Sequence, residues 1–171
     1  MFTKLALLHF HELAHDGLAR LLAHVETLPQ EKFRQELEGY ALPSLRAQLC
    51  HMLDVENFWV LAIQGQAGII DAEHASDLQT AAELAAYRER TALATRAWLA
   101  TETDASLNTV RDVNDCGWYN SGIPADMLLH LMTHAYHHKG QIVAMCRLLG
   151  YPAPMTDLVW TGLQLGIGEQ K

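Results

Sequence analysis

The sequence predicts an all-α protein, a four-helix bundle, on three observations. Four long stretches carry apolar residues at helical spacing, each bounded by capping or breaking residues. The stretches are of comparable length, and polar, turn-rich segments join them. At 171 residues, with 50% hydrophobic and 19% charged residues, the chain is long enough to bury a core as one domain over residues 1–171.

The first helix is expected over residues 3–27, where Leu7, Phe10, Ala14, Leu18, Leu21, Leu22 and Val25 form one stripe and Pro29 follows. The second starts after Pro43, with Ser44 as N-cap and Gly65 as its stop. Leu45, Leu49, Met52, Leu53, Phe58 and Leu61 are its apolar positions. The third opens on the capping box Thr80-Ala81-Ala82-Glu83 and runs through an Ala-rich stretch to residue 100. A loop is expected next, with a short strand at residues 107–113. The fourth helix begins at Pro124, a favourable first-turn residue, and runs to residue 149, where Gly150 ends it; the tail beyond has room for another helical turn. Helices of this length span roughly 30–40 Å. Two connections are long, so simple up-down-up-down order is not implied.

The formal net charge is −8, from 20 acidic and 12 basic residues, and no clustered basic surface is evident. That disfavours a nucleic-acid binder, which must neutralise phosphates. No stretch reaches the length of a membrane span, and the N-terminus lacks the pattern of a signal peptide, so a cytoplasmic protein is expected. Cys50, Cys116 and Cys146 form no C-x-x-C, and reduced thiols are the expectation. Trp59, Trp98, Trp118 and Trp160 read as core or interface residues, with Trp118 and Tyr119 placed to line a pocket mouth.

The ten histidines are clustered, and histidine is both a common metal ligand and a near-neutral acid–base group. On the fourth helix His130, His134 and His138 recur every four residues, with His137 beside the last. Two imidazoles four apart can close on one ion, but the outer two of the three are about 12 Å apart along the axis. The pair is therefore 130/134 or 134/138, and a third ligand has to come from another helix. His51, in mid-helix among Leu49, Met52 and Leu53, is the candidate. Three neutral imidazoles would leave coordination positions open, as in catalytic sites.

The first helix also contains His11-Glu12-Leu13-Ala14-His15, the H-E-x-x-H of zinc proteases. In a histidine-rich chain that pattern arises readily by chance. It lies near the start, without a preceding strand to hold a peptide substrate. His15 and Glu12 are accordingly read as partly solvated neighbours of the core, or residues near the site.

The fourth-helix run "LLHLMTHAYHHKGQIVAMCRLLGYPAPMTDL" resembles the signature of the DinB-like (YfiT-type) helical-bundle metalloproteins. The second-helix run "SLRAQLCHMLDVENFWV" is similar to that family's other block, and "HFHELAHDGLARLLAHVETLP" to its weaker opening pattern. The resemblance spans nearly the whole chain. It implies a four-helix bundle of the DinB-like type, often dimeric, with a divalent metal, zinc or nickel foremost, on His51, His134 and His138. His130 is then a nearby or core residue. It implies a metal-dependent hydrolase, or an enzyme that activates a low-molecular-weight thiol for transfer or isomerisation. A non-catalytic metal-binding or sensor domain is the alternative.

The chain departs from the pattern at Lys139, where the family has Arg, and at Leu13-Ala14-His15, where it has Trp-Ala-Asn. The second departure puts half of the H-E-x-x-H where that family has no metal ligand, so the motif reads as a decoy. Glu56 and Asp54 are candidate bases for a water route, Asp54 alternatively orienting an imidazole. Lys139 and Gln141 are expected in surface, packing or partner-contact roles.

Overall fold

A computed structural model describes residues 2–66, 74–113 and 121–157. Six helices occupy these residues: α1 (Lys4–Glu26), α2 (Gln30–Arg34), α3 (Leu45–Ile63), α4 (Ala81–Thr101), α5 (Asp104–Leu107) and α6 (Pro124–Leu148). The four long ones, α1, α3, α4 and α6, form a compact bundle, as the periodicity predicts. Their ends follow from local chemistry. Thr3 and Ser44 accept the backbone N–H groups of Ala6 and Ala47, each at 3.1 Å. Thr80 and Glu83 complete the expected capping box of α4. After α3 and α6 the chain turns at Gly65 (φ 73°) and Gly150 (φ 87°), left-handed conformations that side chains with a Cβ resist.

The tightest helix pairs are α3/α6, α1/α4, α1/α6 and α3/α4, so α1 and α3 face one another across the bundle. One apolar cluster joins Leu18–Val25 side chains of α1 to the first halves of α3 and α4 and the last half of α6, including Leu21, Leu49, Leu84 and Met145. The other joins Leu7 to Val60, Ile63, Trp98, Leu99 and Leu128, the opposite ends of the same helices. The helices α1 and α6 therefore run one way and α3 and α4 the other. The link from α3 to α4 has to travel the length of the bundle, and it accounts for one of the two long connections. Its described end holds a 3-10 turn, Ala75–Asp77, seated against α3. Fully burying a leucine contributes about 1.5–3 kcal/mol, and both clusters are built largely of such residues.

The remaining differences from the expectation lie between helices. Residues 30–34 make a short helix whose Phe33 plugs the first cluster. The strand expected at 107–113 shrinks to β1 (Arg111–Asp112), paired antiparallel with β2 (Ser121–Gly122). Leu107 instead closes α5, where Thr103 and Ser106 form a second capping box. Cys50 and Cys146 are buried free thiols; burial pushes both up to about 11. Cys116, Trp118, Tyr119, Trp160 and any further turn of the tail beyond residue 157 lie outside the described residues. No described helix is long and apolar enough to cross a membrane.

Candidate metal centre

Between the two apolar clusters the bundle carries a polar band. Each long helix switches there from apolar to polar inward positions: His11 and His15 on α1, His51 and Glu56 on α3, Thr91 and Thr95 on α4, His134 and His138 on α6. A band of this kind costs stability unless every group in it finds a partner, and the partners fall into two clusters.

The first spans the α3/α6 seam. The Nε2 of His134 stands 3.2 Å from the Nε2 of His51 and 3.1 Å from the Nε2 of His138. All three ligating nitrogens lie within 4.8 Å of one another. Nitrogens bound at about 2.0–2.1 Å to one ion are separated by about 2.9 Å at right angles and about 3.4 Å at the tetrahedral angle. Both contacts fall inside that interval. The helical repeat provides the 134/138 pair, and of the two pairs the spacing allowed, this is the one brought onto His51. His130 is exposed and packs edge-on against Trp59, with ring centroids 5.9 Å apart, so it is not a core residue.

Gln48 decides which nitrogen His138 presents. Its Oε1 accepts the Nδ1–H of His138 at 2.5 Å, which leaves Nε2 bare and aimed at the cluster. Gln48 is fully buried. Its own amide donates to the Leu42 carbonyl at 2.8 Å and to Gln141 Oε1 at 2.7 Å, and Gln141 Nε2 donates to His137 Nε2 at 2.7 Å. Gln141, expected in a surface or packing role, is thus a link in a chain leading from the cluster to the exposed His137. Sequence reasoning missed Gln48, although one signal was present: a polar residue three positions before His51, inside the Leu45–Leu49–Met52 stripe.

Burial, reinforced by the neighbouring imidazoles, pushes His134 and His138 down to about 4, and burial lowers His51 as well. At neutral pH all three are uncharged, the form that ligates a cation. With His138 Nε2 bare, one N–H on His134 Nε2 can point at only one of its two neighbours. A cation would satisfy all three lone pairs together. The donor set therefore fits a borderline divalent ion.

The second cluster joins α1 to α3 across the bundle. Glu56 Oε1 lies 2.9 Å from His11 Nε2, and Oε2 lies 2.8 Å from His15 Nε2. Thr95 of α4 donates to Oε1 at 3.0 Å. These three ligating atoms, too, lie within 4.8 Å of one another. His11 and His15 are only 4% and 5% exposed, which corrects the expectation of partly solvated residues for His15. Burial raises the free-energy cost of the Glu56 charge, but His15 and His11 outweigh it and hold the carboxyl well below its usual range. Glu12 is outside both clusters.

Both candidate bases hold other partners. Glu56 is held by His11, His15 and Thr95. Asp54 accepts the Ala75 N–H at 2.6 Å and so fastens the 3-10 turn to α3. Lys139 donates to the Thr156 carbonyl at 2.8 Å and sits over the Tyr136 ring, tying the segment after α6 back to the helix.

Among curated proteins no sequence matches the chain. Comparison with protein families matches residues 1–165 to the DinB family, and the matched span contains all four long helices and both histidine clusters. The chain belongs to the DinB family.

Proposed function

We propose that His51, His134 and His138 hold one divalent cation, zinc or nickel foremost, in a single DinB-like domain over residues 1–171. The protein would be a metal-dependent enzyme on a small molecule. The observation that carries this is the His134 Nε2, placed 3.2 and 3.1 Å from two other neutral imidazole nitrogens. The three ligands come from two adjacent helices, so they approach an ion from one side. His51 and His134 are only half-buried. The far side is left to substrate.

A divalent cation in such a site supplies Lewis acidity that makes a coordinated water or thiol far more acidic. The chain's own groups favour the thiol. A water route to hydrolysis gains from a carboxylate base beside the open position; Glu56 is held by His11 and His15, and Asp54 already accepts the Ala75 N–H through Oδ1. A thiol with an ordinary value of about 8.5 needs only modest help to become the nucleophile. Gln48 keeps His138 in its ligating tautomer, and the half-buried His51 and His134 leave the approach open. We therefore place a YfiT-type, thiol-dependent transfer or isomerisation ahead of hydrolysis. The dimer implied by the resemblance is part of the same proposal.

The test is uptake of zinc and nickel by the metal-stripped protein, followed by turnover assays with thiol-dependent and hydrolase substrates. His51→Ala, His134→Ala and His138→Ala should each lose one tightly held ion. Retention of that ion by all three variants removes the proposed centre. An ion held without turnover on any substrate supports the sensor alternative.

A further inference from the structure

We infer that His11, His15 and Glu56 form a second divalent-cation site, separate from the α3/α6 centre and built on the H-E-x-x-H of α1. The His-x-x-x-His spacing puts both rings on one face of the helix, centroids 4.2 Å apart, and the glutamate arrives from α3 across the bundle. Two imidazoles and one carboxylate are a ligand set for zinc and for iron(II).

Geometry supports the assignment. The N···O separations of 2.9 and 2.8 Å match the edge of a coordination shell whose bonds are about 2.0–2.2 Å at right angles. The cluster faces a cleft of about 20 Å3 that is otherwise apolar, lined by Ala14, Leu18, Met52, Leu131 and Met132 among others. That is room for about one water-sized occupant. The Glu56 carboxylate accepts the His11 Nε2–H, and His11 Nδ1 is buried with no hydrogen-bond partner among the described residues, so it is the nitrogen that would carry the proton if Nε2 ligated.

The charged groups around the cluster include Glu56 itself and two guanidiniums of α4: Arg88, which is itself paired with Glu89, and Arg96, whose charge acts on His11. Arg88 Nη1 donates to the His15 carbonyl at 3.0 Å and stands 3.5 Å from His15 Nδ1. An ion on His15 Nε2 would put the ring proton on Nδ1, so the 3.5 Å contact would have to open while the bond to the carbonyl remained.

The two sites are independent. Glu56 is five residues beyond His51, about 7.5 Å further along α3, too far for the roughly 3.5–4 Å of a bridged pair. An ion at the second site would lock α1 against α3.

The test uses the full chain stripped of metal and titrated with cobalt(II), read by visible absorption and elemental content. Wild type should take up two ions. His51→Ala should keep one, and Glu56→Gln and His15→Ala should each keep the other, with the missing ion weakened at least about 100-fold. Glu56→Gln retains an oxygen acceptor for the imidazoles, so it separates charge and ligation from hydrogen bonding. One ion in wild type, lost in His51→Ala and unchanged in Glu56→Gln, overturns the second site and leaves the α3/α6 centre standing. One ion lost only in Glu56→Gln does the reverse. Two ions in every variant refute both. If Glu56→Gln and His15→Ala fail to fold, the wild-type count and the ion left in His51→Ala decide alone.

Discussion

Replacing Gln48 by leucine isolates the presentation of His138 from the presence of the ligand. Leucine is close to glutamine in volume, so the substitution removes hydrogen bonds without opening a large cavity. Three bonds go: the Oε1 acceptor of His138 Nδ1–H at 2.5 Å, and the donations to Leu42 and Gln141 at 2.8 and 2.7 Å. Leu42 and Gln141 are partly exposed and can turn to water, whereas His138 is 7% exposed and cannot. The cost concentrates there. A buried donor left unpaired costs about 1–3 kcal/mol.

His138 can escape that cost by moving its proton to Nε2, but that nitrogen then no longer ligates. The loss should appear as weaker metal binding. Removing the partner that orients a ligating histidine typically costs about 10–100-fold in affinity, or about 1.4–2.8 kcal/mol. The assay is competition with a chromophoric chelator for zinc on folded protein, its fold checked by circular dichroism. His138→Ala, which removes the ligand, should lose more. His137→Ala, which cuts the exposed end of the same chain of bonds, should stay within about threefold of wild type, because its loss is made good by water. Affinity within twofold of wild type in Gln48→Leu would refute the reasoning, as would equal losses in Gln48→Leu and His137→Ala.

Stripping metal with a chelator should lower the thermal midpoint: an ion present at about 100 times its dissociation constant adds about 2.7 kcal/mol, or about 5–10 °C for a chain of this size. A midpoint that chelator leaves unmoved argues against tight binding at either cluster. Leu49→Ala, at a fully buried position in the first apolar cluster, should cost about 2–5 kcal/mol in urea unfolding; less than 1 would mean the ends of the bundle are looser than the packing indicates. Glu102 accepts from Arg111, Ser106 and Trp98 Nε1, and Arg111 holds its carboxyl below the usual range. A depressed folded value adds stability above the unfolded value, about 4.3, and that stability is lost as pH falls through the folded value. Glu102→Gln should therefore cost about 1.5–3 kcal/mol near pH 7 and progressively less below about pH 4; a penalty that is the same at both pH values would show that the charge is not what matters.

The long helices were legible because their signals are local. A cap such as Ser44, a capping box such as Thr80–Glu83 and a left-handed glycine such as Gly150 act within one turn. So was the α6 pair, since four-residue spacing is a property of one helix. What brings His51 to it is packing between helices, which periodicity does not show; its mid-helix position made it the candidate and the resemblance implied the set. The polar band was harder to read. His11, His15 and Glu56 meet across the bundle, 45 and 41 residues apart in the chain, and no spacing rule links such residues. Glu56 read instead as a base beside His51, because sequence proximity on α3 was the only available guide.

The direction of the helices explains why one band can carry two clusters. With α1 and α6 running one way and α3 and α4 the other, polar positions near the middle of each helix meet at one level of the bundle. Had α4 followed α3 by a short hairpin, its order of positions would be reversed, placing Trp98 and Leu99 near Leu21 and Leu49. Thr91, the midpoint of α4, would remain near that level, but Thr95 and Arg88 would exchange ends about it and Arg88 could not reach the His15 carbonyl. The long crossover closed by Asp54 on Ala75 is thus tied to the site as well as to the topology. Asp54→Ala tests this: freeing the turn should disturb the seating of α4 and with it the Arg88–His15 contact. Hydrogen exchange would report faster exchange at residues 74–80 and at the start of α4, with the α3/α6 seam unchanged. Exchange that speeds up at the seam instead would assign Asp54 to the metal centre after all.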